Sequence, residues 1–382
     1  MAKPTICLVM IVKNESKVIE RCIDSVKDHI NHWVIVDTGS TDGTQDIIKE
    51  KMKSLGIEGE LHERPWLNYG HNRAESMELS KGKCDYRLVI DADDVLEVTD
   101  PTCFDVLDLD SYKLIIKLGN LTYYRTQMMK SDQDWTYEGV IHEYAKAPEG
   151  LSVKEGIIGG ACMVASVSGD TRELKGPDKY YADALVLEKE LVTNKELSEG
   201  LKTRYQFYLA QSYRDAGMME RALDAYQKRA AMGGWPEEVY ISMYMSCKIK
   251  RAMNVEENEL INSYLQAWEF RPFRLEAIYD LIRYLVEKKR YFLAFSFAHI
   301  CLKMQPCEDI LFVEEEIWRW RMVDEYSVLA YFTGNIKDAL NSCESIMQSE
   351  YYSNIPEEER KRIEANCETF KKTLGMQESV EA

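Results

Sequence analysis

The stretch Tyr86-Arg-Leu-Val-Ile-Asp91-Ala-Asp93-Asp94 places the tightest limit on the fold. Leu88-Val89-Ile90 is an apolar run suited to a buried strand, and it stops in three carboxylates within four residues. Alternate residues of a strand share a face, so Asp91 and Asp93 are expected to project together from its carboxyl end. Two like charges held that close repel unless a cation lies between them. Hard oxygen ligands of this kind suit Mg²⁺ or Mn²⁺, which takes one or two carboxylates and completes its shell with phosphate oxygens. A solvated acidic turn has the same composition, so the meaning of this stretch rests on its surroundings.

Those surroundings alternate strands with helices. Residues 5–12 read as a first buried strand, and Lys13-Asn14-Glu15 leads into a helix whose apolar positions Ile19, Cys22, Ile23, Val26 and Ile30 have helical spacing. Trp33-Val-Ile-Val-Asp37 reads as a second strand entering Thr38-Gly-Ser-Thr-Asp42-Gly-Thr, a loop dense in turn formers and helix caps. That loop opens a helix carrying Ile47, Ile48 and Met52. A third strand lies near Glu60-Leu-His, and the spacing predicts a helix over 70–81. The alternation predicts an α/β layer with a largely parallel sheet, whose ligands bind at the carboxyl ends of the strands. Lys13, Asp37 and Asp91 all fall there.

Five segments occur in a telling order: Ile6-Cys-Leu-Val-Met-Ile-Val-Lys-Asn-Glu15, Val34-Ile-Val-Asp-Thr-Gly-Ser-Thr-Asp-Gly-Thr44, Asn72-Arg73, Ile90-Asp-Ala-Asp-Asp94 and Tyr137-Glu-Gly-Val-Ile-His-Glu143. Together they resemble family 2 glycosyltransferases, which have the GT-A fold, a Rossmann-like domain that binds a nucleotide sugar. The last segment resembles the G-x-I-H-E motif of a subgroup that carries tetratricopeptide repeats and includes lipopolysaccharide-core and peptide S-glycosyltransferases. The resemblance spans about 5–145. It departs at 157–175, where the subgroup often has a His-Gly-Tyr-like segment and this chain has Gly160-Ala-Cys-Met-Val-Ala-Ser-Val-Ser-Gly169.

The resemblance implies a metal-dependent, inverting transfer of a sugar from a UDP-hexose or UDP-N-acetylhexosamine to a protein, peptide or glycan acceptor. In such a reaction charge grows on the departing diphosphate, where a bridging Mn²⁺ or Mg²⁺ is most useful. Asp93 is the expected direct ligand. Asp91 is assigned to the metal, through water, or to the ribose, and Asp94 to orienting its neighbours or meeting sugar hydroxyls. His142 completes the metal shell or is a packed residue. Lys13, Asn14, Glu15 and Asp37 would hold the nucleoside. Ser40, Thr41 and Asp42 cap a helix with or without touching the ligand, and Arg73 pairs with phosphate or lies in a surface ion pair. For the base, Glu143 is the first choice and Glu138 the second, with Asp132 and Asp134 nearby. If this piece is a strand, His142 and Glu143 face opposite ways, so one of them is structural. Trp135 and Tyr137 form a sugar platform or core. Two rival readings are a repeat scaffold with a degenerate transferase domain, and a nucleotidyltransferase that releases pyrophosphate.

From about 178 the chain turns helical and an internal period emerges. Pro272 and Pro306 stand 34 residues apart, each closing a two-helix pattern, with Tyr264/Ala267 and Ala298/Cys301 at equivalent positions. Residues 203–236 fit the tetratricopeptide pattern best, through Leu209, Ala210, Tyr213, Gly217, Ala222, Tyr226 and Pro236. Tyr326, Ala330, Gly334 and Ala339 repeat it. About four degenerate repeats are expected, which present the acceptor, recruit a partner, or pair two copies of the chain as a homo-oligomer. The expected division is a GT-A domain over 1–177, all-α repeats over 178–355, and a capping helix with a charged tail that ends disordered over 356–382.

Composition narrows the setting. At 382 residues the chain can bury two cores. A formal net charge of −17 argues against non-specific nucleic-acid binding and against docking to anionic lipid. Ten scattered cysteines without a C-x-x-C pair fit free thiols in a reducing cytoplasm. No apolar run is long enough for a transmembrane segment, and Met1-Ala-Lys-Pro leads into a strand without signal-peptide architecture.

Overall fold

The computed structural model describes residues 3–118, 121–165 and 176–381. It divides into two units, Met1–Glu190 and Leu191–Ala382. The first is an α/β layer. Strands β1 (Ile6–Val12), β2 (His32–Asp37), β3 (Gly59–Glu63) and β4 (Tyr86–Val89) alternate with helices α1 (Ile19–Val26), α2 (Thr44–Leu55) and α3 (Tyr69–Leu79). Then come β5 (Val95–Val98), β6 (Ser111–Leu118), β7 (Leu121–Lys130), the hairpin β8 (Thr136–Glu138) and β9 (Tyr144–Lys146), and β10 (Glu155–Val164). The large sheet has eight strands in the order β3-β2-β1-β4-β7-β6-β10-β5. Its β3-β2-β1-β4 half is parallel, whereas β7 runs antiparallel to both β4 and β6.

The strands that the motifs marked are buried on both faces, as near-continuous apolar runs require. Ile6, Leu8, Met10 and Val12 of β1 point into one core with Ile19, Ile23 and Val26 of α1 and Ile48 and Met52 of α2. Cys7 and Val9 point the other way, into a core with Met77 of α3 and with Trp135 and Tyr137. Trp135 and Tyr137 are therefore core residues, not a sugar platform. The strand order leaves the ends of β1, β2 and β4 side by side, which is where ligands of such sheets lie.

Two local expectations need correction. The apolar strand ends at Val89, and Asp91–Asp94 form a turn closed by the Asp94 amide donating to the Asp91 carbonyl at 3.1 Å. Side-chain alternation along a strand therefore does not govern Asp91 and Asp93. Residues 139–143 are likewise not strand but the loop joining β8 to β9, so the two-face argument for His142 and Glu143 does not hold.

Beyond α4 (Gly176–Thr193), the second unit stacks antiparallel helix pairs: α5 (Glu199–Asp215) with α6 (Met219–Ala231), α7 (Pro236–Ala252) with α8 (Glu257–Phe270), α9 (Glu276–Glu287) with α10 (Tyr291–Cys301), and α11 (Met322–Phe332) with α12 (Ile336–Met347). Each pair turns through one left-handed residue, Gly217, Asn254, Lys289 and Gly334. Each turn closes the same way, the next amide donating to a carbonyl five residues back, as Met218 does to Tyr213 at 2.8 Å and Asn335 to Ala330 at 2.8 Å. Ala222, Ala267, Ala298, Ala330 and Ala339 are all fully buried, the small residues that let paired helices approach. The repeat is stretched once, by residues 302–316 between α10 and a π-helical turn over Ile317–Arg321. The C-terminal segment is helical from Glu357 to Glu381 (α13). Residues 166–175 of the divergent 157–175 segment lie outside the described residues. Among the described residues, all ten cysteines are free thiols, and no helix is long and apolar enough to cross a membrane.

Candidate active site

The loops after β1 and β2 are stitched to each other. The Asn14 amide donates to Ser40 Oγ at 2.9 Å, and Asn14 Oδ1 accepts from the Thr41 amide at 2.8 Å. The Glu15 amide donates to Thr44 Oγ1 at 2.8 Å, and Asp42 accepts from the Ser16 amide at 3.0 Å and from Thr44 Oγ1 at 2.6 Å. Gly43 takes the cap position of α2, and Asp42 Oδ1 accepts from the Thr44 amide in the helix's first turn at 3.1 Å, so Asp42 serves both the helix start and the loop-to-loop contact, while Ser40 serves the latter. Lys13 is exposed beside them.

Asp37 ends β2 and is buried, with 1% of its surface accessible. Its Oδ1 accepts three hydrogen bonds at 2.9 Å, from the amides of Gly39 and Ser40 and from Gln45 Nε2. Its Oδ2 is buried and finds no partner among the described residues. Burial alone would favour the neutral acid, but the donors from Ser40, Gly39 and Gln45 outweigh it and hold the carboxyl below its usual range. Gln45 was not singled out in the sequence, because nothing in a helix's first turn marks a side chain that reaches back to the preceding strand.

The second half of the site is built on α3 and the β8–β9 loop. Asn68 caps α3 by accepting from the His71 amide, and Asn72, fully buried, accepts from the Leu67 amide and donates to the Pro65 carbonyl. The Tyr69 and Gly70 amides donate to the Val140 and Gly139 carbonyls at 3.2 and 2.9 Å. A β-carbon on Gly70 would lie 2.3 Å from the Gly139 oxygen, so only glycine permits this approach. Among the described residues of the α/β unit, Asn14 and His142 are the two non-glycine residues with positive φ, at 56° and 53°. Both lie inside the matched motifs, and such backbone is more frequent at functional sites than elsewhere.

Arg73 joins these pieces. Its Nε donates to Glu143 Oε1 at 2.6 Å and its Nη2 to Asp91 Oδ1. The guanidinium is buried and lies 5.7 Å from the centre of the Tyr137 ring, so its ion pairs are internal, not the surface pair that was one of its two alternatives. Burial would discharge it, but Asp91 and Glu143 shift its equilibrium firmly to the charged form. On the other side of the acidic turn, Arg125 Nη2 approaches Asp91 Oδ2 to 3.7 Å and Asp94 Oδ2 to 3.8 Å. Arg21 donates to the Asp93 carbonyl at 2.8 Å. Neither arginine was legible as a site residue.

Asn14, Asp37, Ser40 and Asp42 thus form one linked group, and Arg73, Asp91, Asp94 and Glu143 another. Glu138 stands apart, its carboxylate bound by Lys146 and by the Tyr144 hydroxyl within the hairpin. Asp134 pairs with Lys81 at the surface. Asp93 is half-buried in the turn, and His142 is exposed on its loop. Among the described residues no three His, Cys, Asp or Glu side chains converge as a ready cation cage. With Asp91 and Asp94 already facing Arg125, the donor set fits a cation that brings phosphate oxygens with it, since such ions take only one or two carboxylates.

Residues 7–101 match the family model described as glycosyl transferase family 2. The SPbeta prophage-derived glycosyltransferase SunS of Bacillus subtilis is 39% identical over 93 residues, 24% of this chain and 21% of SunS. A TPR repeat-containing protein of Synechococcus elongatus is 34% identical over 96 residues, 25% of this chain and 22% of that protein. The chain thus matches about a fifth of the length of these curated relatives. The solved structure of S. aureus TarS 1–349 in complex with UDP-GlcNAc is similar at a TM-score of 0.38 and 15% identity, over 69% of this chain and 90% of that one. Residues 7–101 of the α/β unit are thus similar to glycosyl transferase family 2, and that unit is followed by tetratricopeptide-like helical repeats.

Proposed function

We propose that the chain is a glycosyltransferase that moves a sugar from a UDP-linked donor to a protein, peptide or glycan acceptor by one inverting displacement, with Mn²⁺ or Mg²⁺ as cofactor. The observation that carries this reading is Asp37: one oxygen saturated, the other buried, ionised and without a partner among the described residues. A buried acceptor of that kind is costly unless a ligand donates to it, and the imino N–H of a uracil does so. The similarity of residues 7–101 to glycosyl transferase family 2 supports the same reading.

In this proposal Lys13, Asn14, Glu15, Ser40 and Asp42 shape the nucleoside end of the site with Asp37. Asp93 and His142 would hold the cation, and Asp91 would hold it through water or contact the ribose. When bound, the cation neutralises charge on the departing diphosphate. Glu143 takes the proton from the attacking acceptor group as that group bonds to the sugar's anomeric carbon, opposite the bond to the diphosphate, which breaks. Glu138 falls behind it because Lys146 and Tyr144 engage both of its carboxylate oxygens, whereas Arg73 binds Glu143 through Oε1. Asp94, buried, orients the turn. Residues 1–177 form the transferase and the helical repeats over 178–355 present the acceptor, in the cytoplasm.

Calorimetry with UDP tests the carrying observation. Asp37→Ala is expected to stay folded and to weaken UDP binding by about 10- to 100-fold, about 1.4–2.8 kcal/mol. Unchanged affinity in that variant would remove Asp37 from the donor site and the reading with it.

A further inference from the structure

We infer that Arg73 is a positioning residue that ties the acidic turn after β4 to the loop carrying Glu143, and that the guanidinium facing the donor's diphosphate is Arg125. The inference rests on the glycosyltransferase reading and assigns its two arginines different work.

A guanidinium presents Nε and Nη2 along one edge, the edge that commonly takes both oxygens of a single carboxylate. In Arg73 that edge is divided. Nε serves Glu143, 70 residues further along the chain, and Nη2 serves Asp91, 18 residues along. Only 8% of the side chain is accessible, and the Tyr137 ring, itself in the core, lies beside it. To meet a diphosphate, Arg73 would have to release two carboxylates that compensate a buried charge, which the interior opposes. It is committed to setting the distance between the acidic turn and the candidate base. Because Gly70 packs its backbone on Gly139, α3 and the Glu143 loop are also joined at the main chain, so a shift at Asp91 is carried to Glu143 through a short, rigid path.

Arg125 has the opposite character. Strand β4 pairs with β7 in a register that sets Leu88 against Met128 and Arg87 against Met129. Past the end of β4, the turn that begins at Asp91 lies beside β7 at Arg125. Its side chain is 40% accessible, and it stands off Asp91 and Asp94 at 3.7 and 3.8 Å, ion-pair distances too long for hydrogen bonds. Its Nε finds no partner among the described residues. A planar fork held at long range by carboxylates, at the rim of the turn, is suited to exchange them for phosphate oxygens.

The test uses the full chain and four proteins besides wild type: Arg73→Lys, Arg125→Gln, Glu143→Gln and the Arg73→Lys/Glu143→Gln double variant. UDP and uridine affinities are read by calorimetry, and kcat from nucleoside diphosphate release. Arg125→Gln is expected to weaken UDP binding about tenfold and leave uridine binding unchanged, because only UDP carries the phosphates. Arg73→Lys is expected to keep UDP affinity within about threefold while kcat falls about 100-fold, the scale of a misplaced catalytic group. Adding it to Glu143→Gln should cost no more than about threefold further, since both changes act through one carboxylate. Lost UDP affinity in Arg73→Lys, additive losses in the double variant, or unchanged UDP binding in Arg125→Gln would each overturn the inference and leave the transferase reading standing. A wild-type chain that neither binds UDP nor consumes a nucleotide sugar overturns both. Arg125→Gln alters a half-exposed side chain, so its result stands even if Arg73→Lys does not fold.

Discussion

At the scale of single residues, the site is a set of carboxylates held by unlike means. Asp37 is fixed by amides, Asp91 and Glu143 by Arg73, and Glu138 by Lys146 and Tyr144. Asp42 carries a clear pH consequence. Burial opposes its ionisation, but hydrogen bonds from Ser16 and Thr44 prevail and lower its pKa from 3.8 to about 2. A carboxyl depressed in the folded state stabilises it fully above the unfolded value and loses that contribution as pH falls through the folded one. The stability difference between wild type and Asp42→Asn, from urea unfolding, is therefore expected to shrink as pH is lowered from about 4 to about 2. A difference that stays constant across that window would mean that Asp42 is not coupled to the fold. The motifs made Asp37, Asp91 and Glu143 legible one at a time. Arg73 was legible as a candidate too, but its joining of Asp91 to Glu143 was not, nor were Arg125 and Gln45, because these contacts are made by tertiary placement that no local spacing records.

Among the elements, β1, β2, β3 and α1 to α3 were readable nearly to their ends, since apolar runs and helical spacing mark buried strands and one-sided helices. The strands after the acidic turn were not. β5 has four residues, and Leu121-Thr-Tyr-Tyr-Arg-Thr-Gln in β7 has no clean alternation. The strand before the acidic turn was expected to reach Asp91 and stops at Val89, and 139–143, weighed as a possible strand, is a loop; a short polar insertion leaves the apolar pattern on either side intact. Backbone contact at Gly70 is the element-scale device that fixes the Glu143 loop. Gly70→Ala is expected to lower stability by about 1–3 kcal/mol, the usual cost of forcing bulk into a close-packed contact, read by urea unfolding. Wild-type stability would mean that α3 and the loop can separate freely. In the repeats, Lys289 adopts at the α9–α10 turn the left-handed backbone that Gly217 and Gly334 adopt at theirs. Lys289→Gly is expected to raise stability by about 0.5–1 kcal/mol in the same assay, by relieving a side chain that disfavours that conformation. A loss of stability would show that the lysine side chain matters more than its backbone.

For the whole molecule, composition and the change from strand–helix alternation to paired helices were enough to expect an α/β unit followed by a helical one. The helical period was legible where Gly, Ala and Tyr recur at fixed points. It was lost at residues 302–316, which lengthen one repeat without changing its helices. The identity of the donor and acceptor lies beyond what either unit's pattern encodes, because those depend on side chains at a few loop positions. The central claim, sugar transfer from a nucleotide diphosphate sugar, is tested most directly by incubating the full chain with a panel of nucleotide sugars, with and without Mn²⁺, and measuring which leaving group is released. The expected product is nucleoside diphosphate from a UDP-sugar, released in an Mn²⁺-dependent reaction that Asp93→Asn slows by roughly two to four powers of ten. Release of pyrophosphate from a nucleoside triphosphate, or Mn²⁺-independent turnover undiminished in Asp93→Asn, would contradict it.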